Sequence, residues 1–189
     1  MHNQVSNETP SKIGKFNLLT VNRDQHSAQY LSVDSEYICL IPFTKTAEDT
    51  IKSIYALEFP NKANGQTAHT LIIDEVNSDL DRTPYDSVCR ALVEEAGLNI
   101  EQLGLTENQI FYLGDIAMNS PITLTMHCYG IDLGKPAKEG FEFTRNLSKD
   151  NFTKDDSKII NIGFHQVVNG DFPDTTILSG SFLLASYFN

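Results

Sequence analysis

Two adjacent glutamates and an arginine near the middle of the chain are the residues best suited to chemistry. Glu94 and Glu95 follow Arg90 by four and five positions. In a helix, all three would lie on the polar side, with both glutamates in the last turn. The negative end of a helix dipole disfavours anions unless a cation binds beside them. The spacing therefore predicts a cation site at the end of a helix.

The helix that would carry these residues has capping signals at both ends. Thr83 can cap its N-terminus, Pro84 suits the first helical position and Asp86 completes a capping box. Gly97 can supply the left-handed residue that ends it. Ala91 is expected on the polar side, between the two glutamates. The residues predicted to form the buried stripe are Tyr85, Val88, Cys89, Leu92 and Ala96.

The same segment resembles the Nudix hydrolase signature, G-x5-E-x7-R-E-U-x-E-E-x-G-U, in which U is aliphatic. The residues that match its second half in register are Arg90, Leu92, Glu94, Glu95, Gly97 and Leu98. The chain departs from the signature at Ala91, where the family has a glutamate, and at Arg82 and Val76, where it has Glu and Gly. The resemblance implies that the two adjacent glutamates hold Mg²⁺ or Mn²⁺ against a diphosphate and that the arginine orients them, which makes all three catalytic residues.

A second resemblance lies upstream, where residues 57–60 are similar to the E-L-P element of ADP-ribose-type Nudix enzymes. It implies that Glu58 faces the substrate, and it makes residues 62–81 an insertion in the catalytic loop. The alternative alignment takes residues 71–76 as the strand before that loop, without an insertion. In the same enzymes a late loop supplies the general base. The candidates here are Glu139 and Glu142, in a second predicted insertion at 133–157.

Composition limits the partners that this chain can have. The 189 residues carry a net charge of −11, from 25 acidic and 14 basic residues. Binding to a nucleic-acid backbone needs clustered lysine and arginine, so it is not expected. No apolar run long enough for a membrane span is present. The three cysteines form no C-x-x-C pair, which favours a reducing compartment and predicts a cytoplasmic protein.

The remaining pattern predicts an α/β fold. Strands are expected at 16–21, 36–43, 51–60, 70–73, 111–116, 122–131 and 159–162, a helical turn at 164–170 and a terminal helix from Pro173. The second strand is expected to stop near Pro42. In the strand at 122–131, His127 is expected to be a hydrogen-bonded residue rather than a ligand. Residues 1–13 are predicted to be a flexible tail and 14–189 a single domain, a Nudix-like α/β/α sandwich with a mixed β-sheet.

Two functional hypotheses remain open. The resemblance implies metal-dependent hydrolysis of a nucleoside diphosphate linked to another moiety, such as ADP-ribose, slowed by the incomplete signature. The alternative is a catalytically inactive Nudix-fold module that binds a nucleotide or a protein. Ala91 and Arg82 favour the alternative, whereas Asp79, Asp81 or Asp86 could replace the missing oxygen ligand. A small-molecule nucleotide is the expected partner, a homodimer is left open, and neither nucleic acid nor membrane is expected.

Overall fold

The structure, a computed structural model, describes residues 11–13, 16–23, 26–33, 35–60, 65–98, 104–119, 122–134 and 158–188. The strands in these ranges are β1 (Ser11–Ile13), β2 (Phe16–Arg23), β3 (His26–Val33), β4 (Tyr37–Lys45), β5 (Ile51–Pro60), β6 (Thr67–Thr70), β7 (Ile72–Glu75), β8 (Ile110–Asn119), β9 (Ile122–Asp132) and β10 (Lys158–Gly163). The helices are α1 (Pro84–Ala96), α2 (Phe164–Val168) and α3 (Thr175–Phe188), with a 3₁₀ turn at Glu107–Gln109.

The strands form one mixed sheet. Its order is β1-β2-β3-β9-β4-β5-β10, and β6, β7 and β8 pair with β5, β4 and β9 respectively. Strand β9 runs parallel to β3 and β4, whereas the other pairs are antiparallel. Strand β4 is central, and its side chains from 38 to 44 are buried. Since β4 is covered on both faces, it reads as a nearly continuous apolar run.

Helices cover both faces of this sheet. Because side chains alternate along a strand, β4 contributes to two cores. Ile38 and Leu40 pack on the α1 side, and Cys39, Ile41 and Phe43 pack on the opposite side with α2 and α3. These five residues are at most 1% exposed. The layers are therefore helix, sheet and helices, which confirms the predicted α/β/α sandwich.

One glycine in α3 is required by close packing against the sheet. A Cβ atom added at Gly180 would lie 2.5 Å from Leu71 Cδ1 and 2.8 Å from Ile41 Cδ1. Both distances are shorter than any ordinary carbon–carbon contact, so alanine at this position would require the ends of these two side chains to move. The glycine therefore lets α3 pack closely on Leu71 and Ile41.

The structure differs from the sequence predictions at the start of the chain and in two strands. Residues 11–13 pair with β2, so they belong to the sheet rather than to the predicted tail, and β3 was not predicted. Strand β4 continues past Pro42 to Lys45. Proline is tolerated there because it falls between the part of β4 that pairs with β7 and the part that pairs with β5.

The predicted strand at 70–73 is two strands, β6 and β7, parted at Leu71. Residues 135–157, which hold most of the second predicted insertion, lie outside the described residues. None of the described helices is long and apolar enough to cross a membrane.

Candidate functional site

Helix α1 begins and ends where the sequence predicts. Thr83 Oγ1 accepts a hydrogen bond from the Asp86 backbone N–H at 3.2 Å, and the Asp86 carboxylate accepts the Thr83 N–H at 2.9 Å. This is the predicted capping box, with Pro84 in the first turn. Gly97 has a φ of 65° and donates its N–H to the last carbonyls of the helix. The capping signals in the sequence therefore fixed both ends.

The buried face of α1 is rotated from the predicted stripe. Ala91 is fully buried and Glu95 is only 9% exposed, although both were expected on the polar side. Tyr85 and Cys89, expected to be buried, are only partly so. The small side chain of Ser87, one turn before Ala91, lets this edge of the helix lie close to the sheet. The prediction that Ala91 points between two exposed glutamates is therefore wrong.

Arg90 organises the loop that precedes α1. Its Nε and Nη2 donate to the two oxygens of Asp81 at 3.0 and 2.8 Å. Nη1 donates to Asp74 Oδ2 at 2.5 Å and to Glu94 Oε2 at 3.2 Å, and Nη2 also donates to the Glu75 carbonyl at 2.7 Å. The guanidinium thus joins β7, the loop and the helix. The sequence predicted that Arg90 orients acidic residues, but Asp74 and Asp81 are its main carboxylate partners.

The two aspartates of this cluster differ from Glu94 in exposure. The side chain of Asp81 is 3% exposed, that of Asp74 is 19% exposed, and that of Glu94 is 57% exposed. Hydrogen bonds from Arg90, followed by those from the Asn77 backbone and the Ser87 hydroxyl, lower the pKa of Asp81 to about 2. The same contacts raise the pKa of Arg90 above its usual value. Asp81 and Arg90 therefore both stay ionised near neutral pH and neutralise each other.

The described carboxylates do not by themselves fit a divalent cation. Glu94 is exposed and bonded to Arg90, whereas Glu95 is only 9% exposed. No group of three or more histidine, cysteine, aspartate or glutamate side chains arranged for a metal ion occurs in the described ranges. A hard cation such as Mg²⁺ takes about six oxygen ligands. The candidate bases Glu139 and Glu142 lie outside the described residues.

Glu58 lies on the opposite face of the sheet from α1. Its neighbour Leu57 packs in the α1 core, so alternation directs Glu58 toward α2 and α3. There its carboxylate accepts a hydrogen bond from Lys158 Nζ at 2.6 Å and lies 3.1 Å from His69 Nε2. The expected cavity shared by Glu58 and Glu95 is therefore absent. The strand that leads into the α1 loop is β7, which favours the alternative alignment at 71–76.

A groove lies beside the N-terminal half of α1, on the α1 face of the sheet. Its volume is about 350 Å³. The side facing the helix is formed by the capping segment, with Arg82 and Pro84, and the sheet side includes His127, Tyr112 and Tyr129. The two tyrosine rings lie with their centroids 5.4 Å apart. The other lining residues are Glu36, Ile38, Val76, Ser78, Asp81, Thr83 and Ser87.

Asp115 joins two of the groove residues. Its Oδ1 accepts the Tyr112 hydroxyl proton at 2.6 Å and lies 2.7 Å from His127 Nδ1. The bond from Tyr112, followed by that from His127, lowers the pKa of Asp115. The same carboxylate raises the pKa of Tyr112 to about 12. The sequence predicted a hydrogen-bonded His127, but nothing in it indicated that Asp115 and Tyr112, on a different strand, complete the cluster.

Comparisons with known proteins give the fold a name. No family model and no curated protein matches the chain. Among solved structures, a hydrolase of ADP compounds matches with a TM-score of 0.59 and 10% identity over 98% of this chain and 96% of that one. The Nudix domain of Shewanella oneidensis NrtR complexed with ADP ribose matches with a TM-score of 0.54 and 12% identity, over 82% and 88% of the two chains.

A MutT/Nudix family protein from Listeria innocua is similar in the same way. Its TM-score is 0.51, at 12% identity, over 82% of this chain and 93% of that one. At such low identity the likeness concerns architecture and not activity. The order of strands, the position of α1 between β7 and the groove, and these matches lead to one conclusion, which is that the chain has the Nudix fold.

Proposed function

We propose that the chain binds a nucleoside diphosphate derivative, of which ADP-ribose is the type, in the groove beside α1. The observation that carries this proposal is the combination of an aromatic pair with cationic groups in one cavity. Tyr112 and Tyr129 offer ring faces to a base, and Arg82 and the N-terminus of α1 are positive. A ligand with a flat ring and a diphosphate is complementary to both features. This is the nucleotide-binding form of the second sequence hypothesis.

The exposure of the groove residues supports a ligand site rather than a packed core. Tyr112 is 50% exposed, although large aromatic side chains are usually buried. The Arg82 guanidinium has no carboxylate partner among the described residues, whereas Arg90 has three. A groove of about 350 Å³ is within the usual range for small-molecule sites. The NrtR domain, similar in fold, is complexed with ADP ribose.

Isothermal titration calorimetry with ADP-ribose, in the presence of EDTA, tests the proposal. Wild type should bind, and Tyr112→Ala should weaken binding about tenfold because a stacking partner is lost. Tyr187→Ala is a matched control, since Tyr187 is also 50% exposed but lies on α3. The proposal fails if wild type does not bind, or if both variants bind as wild type does.

Metal-dependent hydrolysis of the same ligand is a second candidate. It is favoured by the exposed carboxylate of Glu94, which lies 3.2 Å from Arg90 Nη1, and by the likeness to a hydrolase of ADP compounds. In this proposal Glu94 and Glu95 hold Mg²⁺ or Mn²⁺, Arg90 positions them, and Glu139 or Glu142 is the base. The described donors do not complete such a site, so ligand binding remains the preferred function.

Hydrolysis is tested by incubating ADP-ribose with the protein and Mn²⁺ and measuring the release of AMP. If Glu94 is a metal ligand, Glu94→Gln should abolish release, and Glu107→Gln, which changes an exposed glutamate elsewhere, should not. Equal rates in both variants would exclude this role for Glu94. If the protein binds ADP-ribose but releases no AMP, the hydrolysis proposal fails and the nucleotide-binding proposal stands.

A further inference from the structure

The two ring nitrogens of His127 differ in their hydrogen bonds to the described residues. Nδ1 lies 2.7 Å from Asp115 Oδ1. Because hydrogen bonds lower the pKa of Asp115, its carboxylate is ionised and can only accept. Nδ1 must therefore carry the proton in this pair. Nε2 makes no hydrogen bond to any described residue, although the ring lines the groove and its side chain is 31% exposed.

The cluster behind the ring fixes its orientation. Tyr112 donates to the same oxygen of Asp115 at 2.6 Å, so this carboxylate is held from two strands. An imidazole whose Nδ1 is bound to a carboxylate has a defined tautomer and a defined direction for Nε2. Any ligand in the groove therefore meets a preoriented nitrogen. That nitrogen is a lone-pair acceptor when the ring is neutral and a donor when it is protonated.

We propose that His127 binds the anionic diphosphate of the ligand through Nε2, and that Asp115 and Tyr112 are its positioning residues. This inference rests on the proposed nucleotide binding and adds to it the group that recognises the phosphate. Each anion, the carboxylate and the phosphate, would then contact a different nitrogen of one imidazolium ring. Charge-assisted bonds of this kind are stronger than neutral ones.

Other charged groups face the groove and set the background for this contact. Arg82, from the loop before α1, adds a positive charge, and Glu36, at the start of β4, adds a negative one. Asp81 also lines the groove, but Arg90 neutralises it. Of the remaining titratable groups, Tyr112 and Tyr129 both have raised pKa values and stay neutral. Histidine is the side-chain type that ordinarily changes charge near neutral pH, whereas arginine, glutamate and tyrosine do not.

The expected effect is a loss of affinity as the pH rises. A neutral ring presents a lone pair to the phosphate oxygen, whereas the protonated ring donates a hydrogen bond and adds a positive charge. The affinity for ADP-ribose should therefore fall about tenfold between about pH 5.5 and about pH 8.5. The diphosphate of ADP-ribose is a diester and has no ionisable proton in this interval, so the charge of the ligand is constant.

Calorimetric titration of ADP-ribose in EDTA, across this pH interval, tests the inference. His127→Gln should bind with one weak affinity at every pH, close to that of wild type at the alkaline end. His69→Gln is the matched control, because His69 also contacts a carboxylate but lies on the opposite face of the sheet. It should keep the pH dependence of wild type. Asp115→Asn, which keeps the size of the side chain, should move the pH dependence to lower pH.

Each result decides between the two proposals. If wild type binds ADP-ribose equally at all pH values, or if His127→Gln keeps the dependence, His127 is not the phosphate-binding group, while nucleotide binding stands. If adenosine, which lacks phosphate, shows the same dependence, the inference also fails. If wild type does not bind at any pH, both proposals fail. Should His127→Gln not fold, the ¹⁵N shift of Nε2 in wild type must change on addition of ADP-ribose, and an unchanged shift overturns the inference.

Discussion

Two polar regions flank α1, and they differ in how their charges are satisfied. Around Arg90, one guanidinium is bonded to Asp74, Asp81 and Glu94, so positive and negative groups meet inside the protein. In the groove, the Arg82 guanidinium and His127 Nε2 make no hydrogen bond or ion pair to any described residue. An anionic ligand such as a diphosphate gains little from the first region, because Arg90 is already bonded to three carboxylates. In the groove, the same ligand could accept hydrogen bonds from groups that have no partner among the described residues.

The comparison separates a structural role from a binding role for residues of the same type. The arginine that matches the Nudix signature connects β7, the loop and α1. The arginine eight residues earlier departs from the signature, yet it lines the cavity. Agreement with the motif therefore does not indicate which arginine lines the groove. Substitutions at Ala91, at the two arginines and at Asp81 test this difference between the two regions.

The largest effect is expected from Ala91→Glu, which restores the carboxylate of the signature. Ala91 is fully buried beside Val88 and Leu92, so the new side chain would bring a charge and extra volume into the core. The free energy of unfolding should fall by about 4 kcal/mol, with or without Mn²⁺. Val93→Glu, at a position that is 46% exposed, should change it by less than about 0.5 kcal/mol.

Urea denaturation of the Ala91 and Val93 variants, with and without Mn²⁺, measures this difference. If Ala91→Glu were stabilised by Mn²⁺ while Val93→Glu was not, a metal would bind at this face of α1. The region around Arg90 would then be a ligand site as well, and the proposed difference between it and the groove would be wrong.

The second largest effect is expected when Arg90 and Arg82 are each replaced by alanine. Arg90→Ala leaves Asp81, only 3% exposed, without its cation, and should lower the free energy of unfolding by about 3 kcal/mol. Arg82→Ala should leave stability within about 0.5 kcal/mol of wild type and weaken ADP-ribose binding several-fold. Urea denaturation measures the stability of both variants, and isothermal titration calorimetry measures their affinity for ADP-ribose. A stable Arg90→Ala, or an Arg82→Ala that binds as wild type does, would contradict it.

The smallest effect is the acid dependence of the Arg90 cluster. The pKa of Asp81 is about 2 in the folded protein, below its value of about 3.9 in an unfolded chain. Its contribution is therefore complete above about pH 5 and is lost as the pH falls toward 2. Because the Arg90 side chain that pairs with Asp81 is 16% exposed, solvent screening reduces this pH-dependent contribution to about 1 kcal/mol.

The midpoint of urea denaturation, followed from about pH 5 to about pH 2, measures this loss. Asp81→Asn should flatten the dependence, whereas Asp79→Asn, at an exposed position of the same loop, should keep it. A wild type whose midpoint does not change over this interval would show that Asp81 is not held by Arg90 in solution.

Much of the fold could be predicted because its signals are local. The capping box at Thr83 and Asp86 and the left-handed Gly97 act within a few residues, so they fixed α1 to its ends. The alternation or apolar runs of β4, β5 and β9 likewise indicated strands. The missed β3 shows the limit, since residues 26–33 mix polar and apolar types and pair with both β2 and β9.

The candidate site was predicted only in part, because its decisive contacts join distant residues. Glu94, Glu95 and Arg90 were found from the motif, but the rotation of α1 that buries Glu95 depends on packing against the sheet. The E-L-P resemblance implied that Glu58 faces the substrate, but it could not indicate that Glu58 lies on the sheet face opposite α1, because that depends on how β5 pairs and packs. Whether Glu94 and Glu95 bind a metal stays a prediction.

The helix with its caps, the strand pattern and the α/β class could thus be predicted from local signals in the sequence. Which arginine is neutralised depends on the tertiary fold, because the fold brings Asp74 of β7 and Asp81 of the following loop to Arg90 of α1. It also brought Tyr112 and Asp115 of β8 next to His127 of β9. Periodicity places a side chain on a face, but only the pairing of strands sets its neighbours across that face.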